Sequence, residues 1–223
     1  MKPLTLRLAN TMRYATLSRY RQEMTLRIQS SHSHEDRGLD AYFSPPEATA
    51  ALLAIEGLRI PRNLWEPAAG DGAISRPLIA AGHIVYSSDI CDYGWRDCFA
   101  GVDYLETGCP SIVEGIVTNP PYRLAMAFAE KATREVGWVA LLLRTNFLES
   151  TSRLPFFRRN PPARIWISSR RLPMMHRSGW TGQKAPSNTC FAWFVWDDRA
   201  QQKRTIDWFD WKECRGAAQA EAA

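Results

Sequence analysis

No apolar run in the chain approaches the roughly 20 residues that a membrane-spanning helix needs. The amino terminus is basic, but no apolar core of roughly 7–15 residues follows it, so a signal peptide is not expected. None of the five cysteines (Cys91, Cys98, Cys109, Cys190 and Cys214) forms a C-x-x-C pair, and no histidine stands at a metal-ligand spacing from them. His32 and His34 lie in a polar stretch and read as solvated. An odd, scattered cysteine set in a chain of this length reads as reduced thiols, so a cytoplasmic protein without a metal is expected. No internal repeat is visible. A phosphate loop is missing as well, because no Gly-Lys-Ser/Thr occurs after a strand. These gaps argue against a membrane protein, a disulfide scaffold, a zinc module and a nucleotide triphosphatase.

What is present fits one domain with a real core: 223 residues, 45% hydrophobic and 11% aromatic. The net charge is +5. Residues 1–37 carry seven Lys/Arg against three acids, which is most of that excess. Cation clusters attract phosphates by releasing counterions, although a solvated face has the same composition. We expect residues 1–37 to form a basic, flexible arm, residues 38–215 the folded domain and residues 216–223 a frayed tail. An early start codon would also explain the arm, since Met12 and Met24 follow.

Within the domain, helical and strand patterns alternate. Pro46–Gly57 is expected to be helical, with Ala48, Ala51, Leu52 and Ile55 on one face. Further helices are expected over Ile74–Ala81, Leu124–Val136 and Glu149–Arg158. Strands are expected over Asn63–Glu66, His83–Ser88, Ile112–Thr118, Gly137–Leu143, Ala163–Ser168 and Thr189–Trp196. Such alternation means a largely parallel sheet with helices on both faces.

Three segments carry chemistry. Asn119-Pro120-Pro121-Tyr122 follows a strand pattern, and two prolines force the chain out of the sheet with a fixed backbone. The turn would present an amide, rigid carbonyls and an aromatic ring at a strand's carboxyl end, where open α/β sheets bind ligands. A proline-terminated strand with a turn-favouring Asn is the plainer reading. Glu66-Pro67-Ala68-Ala69-Gly70-Asp71-Gly72 lies between strand and helix, where Gly70 and Gly72 would admit a ligand to the backbone. Arg76 stands where the dinucleotide fingerprint has its third small residue, which argues against NAD. Asp89 ends the next strand, where a carboxylate can accept bonds from both ribose hydroxyls. Asp103-Tyr104 could contact an adenine amino group or be a surface turn. Tyr42-Phe43-Ser44-Pro45 opens the first helix.

Together these segments resemble the S-adenosylmethionine-dependent amino-methyltransferases of nucleic acids, especially the DNA adenine-N6 enzymes. The resemblance covers about residues 40–197. It implies a class I, Rossmann-like α/β fold with a seven-stranded, mostly parallel sheet whose last strand is antiparallel. It also implies a cofactor, S-adenosylmethionine, held by Tyr42, Phe43, Ser44, Pro45, Glu66, Pro67, Ala68, Gly70, Gly72, Asp89, Ile90, Asp103 and Tyr104. Asn119, Pro120, Pro121 and Tyr122 match the catalytic motif: the first two accept the N–H bonds of an exocyclic amine, and Tyr122 stacks on a flipped base. Cytosine-N4, RNA adenine-N6 and protein glutamine methylation share such a turn, and a module that has lost catalysis is a further alternative. The family's large target-recognition domain is not evident. Arg170, Arg171, His176, Arg177, Trp180 and Lys184, between the last two strand patterns, combine cations with an indole as single-stranded nucleic-acid sites do. An ordinary loop would look similar. In this economy the chain resembles small bacteriophage or prophage methyltransferases, with DNA, or else RNA, as the expected partner.

Overall fold

The structure is a computed structural model that describes residues 44–172, 189–200 and 204–214. One sheet of eight strands organises it: β1 (Asn63–Glu66), β2 (Ile84–Asp89), β3 (Cys98–Ala100), β4 (Gly115–Thr118), β5 (Trp138–Arg144), β6 (Arg164–Ser168), β7 (Phe191–Asp197) and β8 (Thr205–Phe209), in the order β3-β2-β1-β4-β5-β7-β6-β8. Among the described residues, four helices of six or more residues flank it: α1 (Pro46–Glu56), α2 (Ser75–Ala80), α3 (Ala125–Glu135) and α4 (Leu154–Arg159).

The expected α/β architecture holds, with two corrections to the sheet. It has eight strands rather than seven, and the antiparallel strand is not the last. β7 runs antiparallel between β5 and β6, and β8 then pairs parallel with β6 at the edge. β3 and β8 escaped the sequence reading. β3 has only three residues, too few to show a period, and β8 exposes Ile206 and Trp208, so no buried face patterns it.

Side chains alternate between two layers, as period-2 strands require. Trp65, Tyr86, Ile116, Val139, Leu141, Leu143 and Phe194 pack under α3 and α4 on one face. Leu64, Val85, Val117, Ala140, Leu142, Trp193 and Val195 pack under α1 and α2 on the other. β5 and β7 are buried on both faces, which accounts for their continuous apolar sequences.

Two expected elements are shorter than their patterns. The strand expected from Ile112 begins at Gly115, because Val113 N–H donates to Pro110 in a turn. The helix expected from Glu149 begins at Leu154. Ser150 and Ser152 spend their hydroxyls on each other, and Pro155 fits only a first helical turn. Gly115 has a packing reason: a Cβ there would lie 2.9 Å from the Trp138 ring and 3.0 Å from Leu64.

α1 is tied to the far half of the sheet by charge. Arg164 of β6 donates to both oxygens of Glu56, at 2.8 and 3.0 Å, and to Asp197 at 2.8 Å. The Trp166 indole donates to the same Glu56 at 2.6 Å. Burial pushes the Asp197 carboxyl up, but hydrogen bonds from Arg164 and Arg199 outweigh it and hold the group below its ordinary value.

Candidate active site

The chain order reverses across the sheet between β1 and β4, and the carboxyl ends of strands on either side of such a point form a crevice. The turns after β1, β2 and β4 all leave the sheet there. The first contains the glycine loop and the last Asn119, and Asp89 ends β2 just before the second.

The glycine loop is held from three sides. Gly70 and Gly72 have φ of 54° and 83°, a left-handed backbone that favours glycine. Gly70 N–H donates to Asp89 Oδ2 at 2.8 Å, and Ala69 N–H donates to the Ser88 carbonyl at 3.0 Å. On the helix side, Thr49 of α1 donates to the Ala73 carbonyl at 3.5 Å.

Glu66, at the end of β1, points inward. It is 1% exposed and accepts the Ser75 hydroxyl, which lies 2.6 Å from the Ser87 hydroxyl. Burial raises its carboxyl well above the ordinary glutamate range, against the hydrogen bonding from Ser75. Glu66 therefore joins β1, α2 and β2. Pro67 and Ala68 follow it into the loop.

Asp89 is the hub. Its second oxygen accepts Cys91 N–H at 2.9 Å, which sets the course of the chain through Ile90 after β2. Burial raises its carboxyl above the ordinary value, against hydrogen bonds from Cys91, Gly70 and Ile90. A carboxylate has about four acceptor positions. Three backbone donors leave one position for a ribose hydroxyl to fill.

Sequence reasoning missed Trp95. A Cβ added at Gly72 would lie 2.6 Å from this indole, so Trp95 fills the space that the glycine frees. The Arg76 guanidinium lies 5.4 Å from the centre of the same ring. The freedom at Gly72 thus serves packing by Trp95, whereas the sequence suggested a ligand. Only the φ of Gly72 and the path of residues 90–97 reveal this.

The remaining expected site residues separate into groups. Asp103 accepts Leu105 N–H at 2.9 Å in the turn after β3, and Val102 N–H donates to the Asp89 carbonyl at 3.0 Å, which brings this turn beside β2. The Tyr104 ring lies in the core, 2% exposed and edge-on to Trp65 at 5.1 Å, so its side chain is directed away from the crevice. Ser44 and Pro45 are buried at the start of α1. Tyr42 and Phe43 lie outside the described residues.

Asn119 follows β4, 9% exposed, with its side-chain oxygen buried. Pro120 is buried and Pro121 half-buried; a 3-10 turn, Tyr122–Leu124, then leads into α3. The Arg144 guanidinium sits 3.9 Å from the centre of the Tyr122 ring, and Phe191 lies 6.1 Å away. Of the expected nucleic-acid residues, Arg170 and Arg171 follow β6 at the same end of the sheet. Arg170 is engaged by Asp210, at 2.7–3.1 Å over three hydrogen bonds. His176, Arg177, Trp180 and Lys184 lie outside the described residues; their segment is bounded by Leu172 and Thr189. Among the described residues no three His, Cys, Asp or Glu side chains converge as a metal ion would require, and no helix is long and apolar enough to cross a membrane.

No protein-family model matches the chain, and neither does any curated protein. Solved structures do. A type I restriction-modification methyltransferase subunit from Streptococcus thermophilus superposes with a TM-score of 0.54 and 11% identity, over 76% of this chain and 47% of that one. A modification subunit assigned to a type I restriction enzyme of Vibrio vulnificus gives 0.54 and 13%, over 94% and 57%. A Pyrococcus horikoshii protein assigned as an RNA methyltransferase gives 0.54 and 14%, over 79% and 97%. The chain thus spans about half the length of the two restriction-modification subunits and nearly all of the archaeal protein's. At these identities the likeness is one of fold, and the fold is α/β and Rossmann-like, as in these three proteins.

Proposed function

We propose that this protein transfers a methyl group from S-adenosylmethionine to the exocyclic N6 amine of adenine in DNA. The observation that carries the reading is the arrangement at the chain reversal. Asp89 holds the glycine turn after β1 by a 2.8 Å bond to Gly70, and the Asn119-Pro120-Pro121-Tyr122 turn leaves the neighbouring strand β4.

The residues after β1 and β2 fit the cofactor. Asp89 has an acceptor position left for a ribose hydroxyl, Asp103 stands in the adjoining turn, and the Trp95 indole supplies an apolar wall beside Gly72. When bound, S-adenosylmethionine supplies an electrophilic sulfonium methyl. The protein's share is to prepare the amine. An exocyclic amine is a poor nucleophile because its lone pair is delocalised into the ring. The Asn119 side-chain oxygen and the Pro120 carbonyl each accept one of its N–H bonds. That favours a tetrahedral nitrogen whose lone pair is free to attack. Tyr122 stacks on the base, which must be unpaired or flipped. Positioning of this kind supplies much of the rate.

The likeness to restriction-modification subunits supports DNA, and the likeness to the archaeal protein supports RNA as the second reading. Tritium transfer from labelled cofactor to DNA, RNA and protein, followed by mass spectrometry of the nucleosides, separates them. N6-methyladenine in DNA is expected. Methyladenine in RNA alone, N4-methylcytosine or labelled protein would each replace this reading. Asn119→Ala should abolish transfer while cofactor affinity, measured by calorimetry, stays within about twofold.

A further inference from the structure

Tyr122 does not stand alone at the rim of the sheet. The Arg144 guanidinium lies 3.9 Å from its ring centre, and the Phe191 ring lies 6.1 Å away, tilted by 41°. Arg144 ends β5 and Phe191 begins β7, and the two face each other across that pair of strands. Cross-strand partners project to the same side of a sheet. That side is the layer under α1 and α2, where Ala140 and Leu142 precede Arg144 at every second position and Phe191 is buried. Both neighbours therefore reach Tyr122 from a single rim.

We propose that Arg144 is a positioning residue for Tyr122. Its guanidinium stacks on one face of the ring and holds the ring so that the other face receives an unstacked base. A planar cation suits the task, because a guanidinium stacks flat on an aromatic face, whereas an ammonium meets it only as a point charge. The proposal rests on the reading of Asn119–Tyr122 as a clamp on an amino-bearing base. It adds a residue outside the tetrapeptide, delivered by a different strand. It also assigns a use to the change from apolar to cationic at the end of the buried β5 run.

The test uses the full chain and a fluorescein-labelled single-stranded DNA, read by anisotropy, alongside labelled-methyl transfer. Arg144→Met should weaken DNA binding about fivefold, the size of one solvent-accessible cation–π contact, and lower kcat. Cofactor affinity and the salt dependence of DNA binding should be unchanged, since no phosphate contact is lost. Arg144→Lys should recover part of the loss. In a Tyr122→Ala background, Arg144→Met should have no further effect.

Each of the following results overturns the proposal. A fall in the salt slope would make Arg144 a phosphate contact. Additive losses with Tyr122→Ala would separate it from the ring. Tighter DNA binding by Arg144→Met would mean that the guanidinium stands in the place of the base. A wild type that methylates neither DNA nor RNA overturns the clamp reading, and this proposal with it. An active wild type matched by Arg144→Met overturns this proposal alone.

Discussion

Asp89 accepts Gly70 N–H on one oxygen and Cys91 N–H on the other, and these bonds fix the ends of the turns that border the crevice. Removing the carboxylate should therefore do two separable things. Asp89→Ala should weaken cofactor binding by about 10- to 100-fold, the equivalent of ~1.5–3 kcal/mol for hydrogen bonds to a charged group. It should also lower the unfolding midpoint in urea, since Gly70 and Cys91 lose their acceptor. Calorimetry checks the first and a denaturation curve the second; unchanged cofactor affinity would remove Asp89 from the site. Glu66 gives a pH dependence. Its folded-state carboxyl titrates well above the ordinary value of 4.5, chiefly because it is buried. The folded state therefore binds the proton more tightly than the unfolded chain. Its contribution is complete below about 4.5, the unfolded value, and is lost as pH rises through the higher folded value. Glu66→Gln, neutral at every pH, should flatten that loss and leave the protein at least as stable as wild type at pH 8, by thermal melts across pH. A variant less stable than wild type at pH 8 would contradict the assignment.

The elements show why some of this was legible and some was not. α1, β1, β2, β5 and β7 announce themselves because each has a long buried face or a run buried on both sides. Asp89 and the glycine turn could be read because strand-turn-helix spacing is local. Trp95 and Arg144 could not, since each acts on a residue brought near only by the fold: Gly72 from the preceding turn, and Tyr122 from the neighbouring strand. The link between Glu56 and Arg164 spans the chain in the same way. Glu56 is fully buried in its side chain, and Arg164 and Asp197 nearly so. Removing the cation alone leaves two buried carboxylates without it, so Arg164→Met should destabilise the protein by about 3–5 kcal/mol. Chemical denaturation checks this, and a loss under ~1 kcal/mol, the range of an exposed pair, would mean that water reaches the network.

At the scale of the molecule, the positive balance seen in the sequence is partly spent inside the structure. Arg164 and Arg199 share Asp197, and Arg170 is paired with Asp210 just beyond β8. Sequence reading offered Arg170 and Arg171 as equal contacts for a nucleic acid. Asp210 distinguishes them, and it was invisible because β8 was. Asp210→Asn should release the Arg170 guanidinium, tighten binding to single-stranded DNA and raise the salt slope by about one phosphate contact. Anisotropy titrations at several salt concentrations decide it; an unchanged slope would return Arg170 to a purely structural role.

The placement of β7 also has a consequence for how the chain is made. Because β7 lies between β5 and β6, those two strands cannot join until Phe191–Asp197 is available. Synthesis proceeds at about 5–20 residues per second. Until Phe191–Asp197 has been made, β6 therefore has no partner strand and the apolar edge of β5 is uncovered. Ribosome-bound chains stalled before Phe191 should be open to proteolysis and held by chaperones. Chains stalled once Asp197 has cleared the exit tunnel should resist.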